Sequence, residues 1–84
     1  MTLAFTENAW EEYLYWQETD RAKVDRIHLL IREIRRHPFQ GLGKPEPLKG
    51  RLAGLWSRRI DAEHRLVYRV ERGALIVVQC RYHY

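Results

Sequence analysis

Cysteine is almost absent from this sequence, and long apolar runs are missing altogether. Cys80 is the only thiol, so no intramolecular disulfide can form, and its apolar neighbours predict a small buried side chain. A lone cysteine of this kind is typical of a reducing cytoplasm. No window approaches about 18 apolar residues, and residues 1–5 lack the features of a signal peptide. We therefore expect a cytoplasmic protein without a membrane span.

The patterns that accompany metal sites and catalytic nucleophiles are missing as well. The sequence has no His-x-x-x-His pair and no pair of cysteines, which are common spacings of metal ligands. Its only serine, Ser57, and its only cysteine have no evident base and orienting acid, which argues against a nucleophilic Ser or Cys enzyme. We expect neither a metal nor a cofactor.

Charge is distributed unevenly along the chain. Residues 1–34 carry seven acidic and four basic side chains, whereas residues 35–84 carry four acidic and eleven basic ones. The basic part also contains Trp56, Tyr68, Tyr82 and Tyr84. Arginines that bind phosphates and aromatic rings that stack on bases are typical of RNA-binding proteins. The pattern favours a polyanion as the partner, and the alternative is an ordinary soluble protein with a basic surface.

Two helices are predicted in the first half of the chain, after a short strand over residues 2–5. Thr6 and Asp20 are suitable N-caps, and the helices are expected to end near residues 18 and 37. Helical spacing places Trp10 and Tyr13 toward the core and Trp16 away from it.

The second half predicts a loop and three strands. Residues 39–50 contain three glycines and two prolines, which indicates an irregular loop. Strand-like runs lie near residues 55–60, 64–70 and 74–82, separated by short turns. We expect a single α+β domain over residues 1–84, in the order βααβββ, with two helices packed on a small antiparallel sheet.

Two arginines are predicted to face each other across a hairpin. With a turn centred on Ala62, Arg59 and Arg65 pair on one face of the sheet, about 5 Å apart at Cβ. Like charges so close repel each other unless an anion lies between them, and a phosphate suits two guanidinium groups. The alternative is neutralisation by a neighbouring acid: Asp61, Glu63 or Glu71. Arg58 and Arg69 are predicted to lie on the surface.

A carboxylate and an imidazole complete the candidate site. Glu46 lies between Pro45 and Pro47, whose fixed φ angles keep the backbone extended and the carboxylate on a stiff support. His83 stands beside Tyr84 at the end of the chain, and histidine ordinarily changes its charge between about pH 5 and 8. The alternatives are a solvated loop charge at Glu46 and a frayed end at His83.

These groups suit the transesterification of RNA. Glu46 would take the proton from a ribose 2′-OH, which attacks the adjacent phosphorus, and His83 would protonate the leaving 5′-oxygen. Tyr84 would position the phosphate or a neighbouring base. Three cationic side chains would bind the phosphate: Arg65, Arg59 and Lys49. DNA lacks the 2′-OH, so we expect it to resist cleavage.

Five stretches of the sequence are distinctive. They are residues 13–20 (YLYWQETD), 43–49 (GKPEPLK), 56–60 (WSRRI), 63–68 (EHRLVY) and 80–84 (CRYHY). Together they resemble the YoeB-type toxins of the RelE/ParE superfamily, the messenger-RNA-cleaving halves of bacterial toxin–antitoxin pairs. The resemblance extends over the whole chain.

The resemblance implies a sheet like that of microbial RNases, backed by two helices, and ribosome-dependent cleavage of messenger RNA in the A site. It implies that Glu46 and His83 form the acid–base pair. The other residues it assigns to the site are Lys49, Arg65, Arg59 and Tyr84. It further implies inhibition by a YefM-type antitoxin, a homodimer, and binding of operator DNA only in complex with the antitoxin.

Two other functions remain open from the sequence. A non-catalytic RNA- or DNA-binding module would use the same arginines and aromatics, and its salt-sensitive binding would survive the loss of Glu46. A ParE-like toxin that attacks gyrase is the other alternative, but it leaves the combination of Glu46 and His83 unexplained.

Overall fold

Two helices pack against a five-stranded mixed sheet in the computed structural model, which describes residues Met1–Tyr84. In chain order the elements are β1 (Thr2–Phe5), α1 (Glu7–Thr19), α2 (Arg21–Arg36), β2 (Glu46–Pro47), a 3-10 helix (Gly50–Leu52), β3 (Trp56–Arg59), β4 (Arg65–Glu71) and β5 (Ala74–Gln79). The predicted α+β class and the packing of two N-terminal helices on a sheet are confirmed.

The strand order in the sheet is β1-β5-β4-β3-β2. Strands β2 to β5 are antiparallel neighbours, but β1 runs parallel to β5, with Leu3 opposite Leu75. The prediction of a purely antiparallel sheet is therefore wrong in this pairing. The sequence did not predict this direction because β1 and β5 are far apart in the chain, so no hairpin turn fixes their relative direction.

Part of the predicted loop over residues 39–50 is an edge strand. Glu46 pairs with Ser57 and Pro47 pairs with Trp56, which adds β2 to the sheet beside β3. A proline fits here because its missing N–H faces away from the sheet at an edge. The prediction of wholly irregular structure is wrong at these two residues, and the extended backbone expected around Glu46 is found.

Both predicted helix caps are present, because the side chain of Thr6 accepts from Ala9 N at 3.2 Å and that of Asp20 accepts from Ala22 N at 3.1 Å. The two helices and the sheet enclose one apolar core. Its fourteen buried members are Ala9, Tyr13, Trp16, Val24, Ile27, Leu30, Ile31, Ile34, Ile60, Leu66, Tyr68, Leu75, Val77 and Cys80.

The predicted positions of two tryptophans of α1 are wrong. Trp16 was predicted to lie off the core side, but it is only 6% exposed, whereas Trp10 was predicted to face the core and is 45% exposed. The indole Nε1 of Trp16 donates to the backbone oxygen of Cys80 at 2.8 Å. This bond pairs the polar atom of the indole, so the ring is buried without an unsatisfied donor.

Arg58 is the largest correction to the predicted surface, because its side chain is fully buried. Its guanidinium donates to the backbone oxygens of Leu42 at 3.0 Å, Gln40 at 2.9 Å and His37, and to the hydroxyl of Tyr68 at 3.2 Å. A buried arginine is stable when its donors are paired in this way. Arg58 thus fastens the segment after α2 to β3.

The last strand is shorter than predicted, since β5 ends at Gln79 rather than near residue 82. The side-chain amide of Gln79 donates from Nε2 to the backbone oxygens of residues 81 and 82, at 2.9 and 3.3 Å. The backbone N–H of Cys80 donates to Glu12 Oε1 at 2.8 Å. Side chains thus pair the backbone N–H of Cys80 and the backbone oxygen of Arg81 in place of a strand neighbour, and the strand ends.

Candidate active site

A cavity of about 220 Å³ lies between β2, β3, the start of β4 and the C-terminal segment, which we define as residues 80–84. The residues that line it are Lys44, Glu46, Ser57, Arg59, Arg65, His83 and Tyr84. Every site residue predicted from the sequence is in this set except Lys49. Three cationic side chains face a single carboxylate here, so the cavity favours an anionic ligand.

Glu46 is held in place by neighbours on two other elements. The hydroxyl of Tyr84 donates to Glu46 Oε1 at 3.1 Å and lies 3.3 Å from the hydroxyl of Ser57. Ser57 is also the strand partner of Glu46 and is almost fully buried. Because the Tyr84 hydrogen is directed to the carboxylate, the Ser57 hydroxyl is the donor to Tyr84. A chain of hydrogen bonds therefore orients the carboxylate.

The predicted pair of arginines is present, with Arg59 directly opposite Arg65 in the register of β3 and β4. The backbone N–H of Arg59 donates to the oxygen of Gly43 at 2.7 Å, which attaches the loop before β2 to β3. Nη1 of Arg65 donates to the backbone oxygens of Asp61 at 2.9 Å and His64 at 3.1 Å. These bonds fix the guanidinium of Arg65 from one side.

No acid neutralises this arginine pair. The three candidates each interact elsewhere: Asp61 with Lys23 at 2.8 Å, Glu71 with Arg69 at 3.4 Å, and Glu63 with His64 at 3.6 Å. Neutralisation of the arginine pair by a neighbouring acid, the alternative that the sequence left open, is therefore not found. Two guanidinium groups on facing strands without an acidic partner favour the binding of an anion.

Asp61 shapes the turn that holds Arg65. Burial on its own would raise the pKa of the Asp61 carboxyl, but hydrogen bonds from Lys23 and from the backbone N–H groups of His64 and Glu63 outweigh it. Together they lower the pKa to about 2. The carboxylate is therefore charged throughout the neutral range and keeps the turn closed around the arginine.

The C-terminal segment is anchored rather than frayed where it enters the cavity. The backbone N–H of Tyr82 donates to Nδ1 of His64 at 2.7 Å, and its oxygen accepts from the N–H of Arg65 at 3.0 Å. These two bonds attach the segment to the start of β4. His83 and Tyr84 follow directly, with their rings 4.6 Å apart, so the strand that supplies the arginine also anchors the residue before His83.

Sequence reasoning missed three residues of this region and placed one that the cavity does not include. Lys44 and Ser57 line the cavity. They were missed because the sequence did not predict strand β2, whose pairing with β3 brings this part of the chain together. His64 was missed because its imidazole accepts a hydrogen bond from the backbone N–H of Tyr82, 18 positions away, which no local pattern indicates. Lys49 is exposed and precedes the 3-10 helix, outside the cavity lining, so its binding of phosphate stays a prediction.

Cys80 and the acidic residues offer no second reaction centre. Burial raises the pKa of the Cys80 thiol to about 12, and the charge of Glu12 adds to the effect, so the thiolate needed for nucleophilic attack does not form at neutral pH. No group of three or more His, Cys, Asp or Glu side chains is arranged to hold a metal ion. Neither helix combines the length and apolar content of a membrane span.

Comparison with known proteins identifies the family. The family model described as the YoeB-like toxin of bacterial type II toxin–antitoxin systems matches residues 5–84. The chain belongs to this family. The resemblance stated from the sequence is thereby confirmed.

Relatives of the YoeB-like family match the chain from end to end. Toxin YoeB of Escherichia coli strain K12 is 57% identical over 84 residues, covering 100% of both chains. The solved YoeB/ParE toxin from Agrobacterium tumefaciens is 57% identical, covers 100% of both chains and superimposes with a TM-score of 0.98.

YoeB from Staphylococcus aureus is known in two assemblies. The structure of its dimer is 42% identical to this chain, with a TM-score of 0.94, and the YoeB–YefM complex is 41% identical, with a TM-score of 0.93. Both cover 100% of this chain and 98% of the other. The fold described above is therefore that of the YoeB-like toxins.

Proposed function

We propose that this chain is an endoribonuclease that cleaves messenger RNA in the ribosomal A site and so blocks translation. One observation carries the proposal: a single cavity contains a carboxylate, an imidazole and two arginines that have no acidic partner. A base, an acid and a phosphate-binding group are what attack by a ribose 2′-OH requires. Membership of a toxin family supports a function that stops growth.

In the proposed reaction Glu46 removes the proton of the 2′-OH. The 2′-oxygen forms a bond to phosphorus while the bond from phosphorus to the 5′-oxygen breaks, and His83 gives its proton to that leaving oxygen. The products are a 2′,3′-cyclic phosphate and a 5′-hydroxyl. The hydrogen bond from Tyr84 keeps the Glu46 carboxylate oriented, so the base does not have to be repositioned when RNA binds.

The arginine pair offsets the negative charge that grows on the phosphate oxygens. Arg65 is the better placed of the two, because backbone oxygens already hold its Nη1, and fixed donors cost no rearrangement during the reaction. Arg59 is exposed and joins from the facing strand. We keep Lys49 as a further phosphate ligand that contacts the RNA outside the cavity. No metal takes part in this scheme.

The partners of the family motivate the rest of the proposal. YoeB of Staphylococcus aureus has been solved as a dimer and in complex with YefM. We propose that this chain likewise forms a homodimer in the cytoplasm and is neutralised by a cognate YefM-type antitoxin. Operator DNA is a partner only of the complex with the antitoxin.

The chemistry can be tested with one modified nucleotide. A messenger RNA that carries a single 2′-deoxynucleotide on the 5′ side of the cut should resist cleavage at that position, whereas the unmodified RNA yields a 2′,3′-cyclic phosphate end by mass spectrometry. A matched control places the 2′-deoxynucleotide one position further upstream, where it should have no effect. Equal cleavage of all three RNAs would show that the 2′-OH is not the nucleophile.

A further inference from the structure

The donors of the Arg65 guanidinium fall into two groups. Nη1 donates to three backbone oxygens of the turn before β4, those of Asp61 at 2.9 Å, His64 at 3.1 Å and Ala62 at 3.4 Å. Nε and Nη2 make no hydrogen bond within the protein, and both are accessible to solvent. These two free donors form a fork that fits two oxygens of a phosphate. The direction of the fork therefore depends on the turn that holds Nη1.

The side chain of Asp61 holds this turn together. Its Oδ1 accepts from the backbone N–H groups of Glu63 at 2.8 Å and His64 at 2.7 Å. Its other carboxylate oxygen, Oδ2, is 2.8 Å from Nζ of Lys23 in α2. One carboxylate thus connects the turn beneath Arg65 to the helix layer of the fold.

Lys23 is itself held in place. Its Nζ is 3.4 Å from Oδ2 of Asp20, the N-cap of α2, and 5.7 Å from the ring centroid of Trp16. The side chain is only 22% exposed, and the next residue, Val24, is fully buried in the core. The hydrogen bond to Asp61 raises the pKa of Lys23, so the ammonium group stays charged throughout the neutral range.

We propose that Lys23 is a positioning residue for RNA cleavage, which acts through Asp61 and the turn to set the direction of the free donors of Arg65. This inference rests on the proposed ribonuclease function and adds to it a residue outside the cavity lining. Donors that are already directed at the phosphate need no rearrangement during the reaction, and a small displacement of such a group slows it. The alternative is an ion pair that contributes only to stability.

The first turn of α2 offers a matched control. Arg21 is also a cation paired with an aspartate, Asp25 at 3.2 Å, but both side chains are more than half exposed and neither contacts the turn. Lys23→Met and Arg21→Met remove the same charge, so a general loss of attraction to RNA is equal in both variants. Lys23→Arg restores a cation. Asp61→Asn breaks the ion pair from the other side and keeps Oδ1 as the acceptor of the turn.

Cleavage of messenger RNA on programmed ribosomes gives kcat and KM for each variant, and thermal melting verifies that each is folded at the assay temperature. We expect Lys23→Met and Asp61→Asn to lower kcat about 10-fold each, with KM within about twofold of wild type, because the turn loosens but keeps its Oδ1 bonds. Arg21→Met should match wild type, and Lys23→Arg should recover most of kcat. In an Arg65→Lys background, which lacks the fork, Lys23→Met should have no further effect on kcat.

Two results would overturn the positioning role. One is a kcat of Lys23→Met equal to that of Arg21→Met, and the other is the same fall in kcat with and without the Arg65 guanidinium. If Lys23→Met does not fold, Asp61→Asn decides by the same two comparisons. Absence of cleavage by wild type in the presence of ribosomes would instead overturn the proposed function, and the positioning role with it.

Discussion

Two neighbouring arginines of β3 provide a matched pair of substitutions with opposite expectations. Arg58→Met removes a fully buried guanidinium and leaves three backbone oxygens and the Tyr68 hydroxyl without their donor. Hydrogen bonds from charged groups contribute about 1.5–3 kcal/mol each but are not additive. Since water can replace part of the loss, we expect destabilisation by about 3–5 kcal/mol.

Arg59→Met removes the same charge from the next residue of the same strand. Arg59 is exposed and its side chain has no hydrogen-bond partner within the protein, so we expect a change within about 0.5 kcal/mol. Loss of repulsion from Arg65 would even favour the folded state slightly. Cleavage activity should show the reverse order at equal amounts of folded protein, because only Arg59 lines the cavity.

Urea denaturation measures both variants against wild type. Protein concentration has to be equal in all three samples, because dimer formation would shift the midpoint with concentration. The free energy of unfolding of a small domain is about 5–15 kcal/mol, so the expected loss for Arg58→Met is large and readily measured. A loss below about 1 kcal/mol would refute the view that Arg58 fastens the segment after α2.

Substitutions at three further positions test the surroundings of the site. The lowered pKa of Asp61, about 2, stabilises the wild type, and this stability is lost as pH falls from about 4 toward 2. The free energy of unfolding of Asp61→Asn should therefore fall by about 1 kcal/mol less than that of wild type between pH 5 and pH 2, as measured by denaturation at both pH values. His64→Asn retains an acceptor near the place of Nδ1 and His64→Gln does not, so hydrogen exchange of the Tyr82 amide should be faster only in the Gln variant. Gly43→Ala puts a Cβ 2.9 Å from Leu30 at a φ of +86°, and thermal melting should show about 2 kcal/mol of destabilisation.

Features that depend on near neighbours could be predicted from the sequence. Thr6 and Asp20 cap helices because the donors they accept from are two or three residues away. The hairpin between β3 and β4 is equally local, so the placement of Arg59 opposite Arg65 followed from turn length alone. The stretches around Glu46 and at the end of the chain supplied the remaining predicted members of the cavity.

Features that depend on distant parts of the chain could not be predicted. Arg58 is buried because carbonyl groups some twenty positions away need a donor, and no local pattern records that need. The burial of Trp16 likewise depends on the carbonyl of Cys80. The edge strand containing Glu46 is only two residues long, too short for alternation of apolar and polar residues to reveal it.

We propose that Glu46 and His83 together cleave messenger RNA on the ribosome. The most direct measurement is primer extension on messenger RNA from a purified translation reaction, with wild type, Glu46→Gln, His83→Gln and a reaction without ribosomes. Arg69→Gln serves as the control variant, because Arg69 is an exposed arginine outside the cavity. We predict new RNA ends within the A-site codon only when ribosomes are present, with wild type and Arg69→Gln but with neither site variant. Translation blocked equally by all four proteins without new RNA ends would contradict the account and favour a binding module without catalysis.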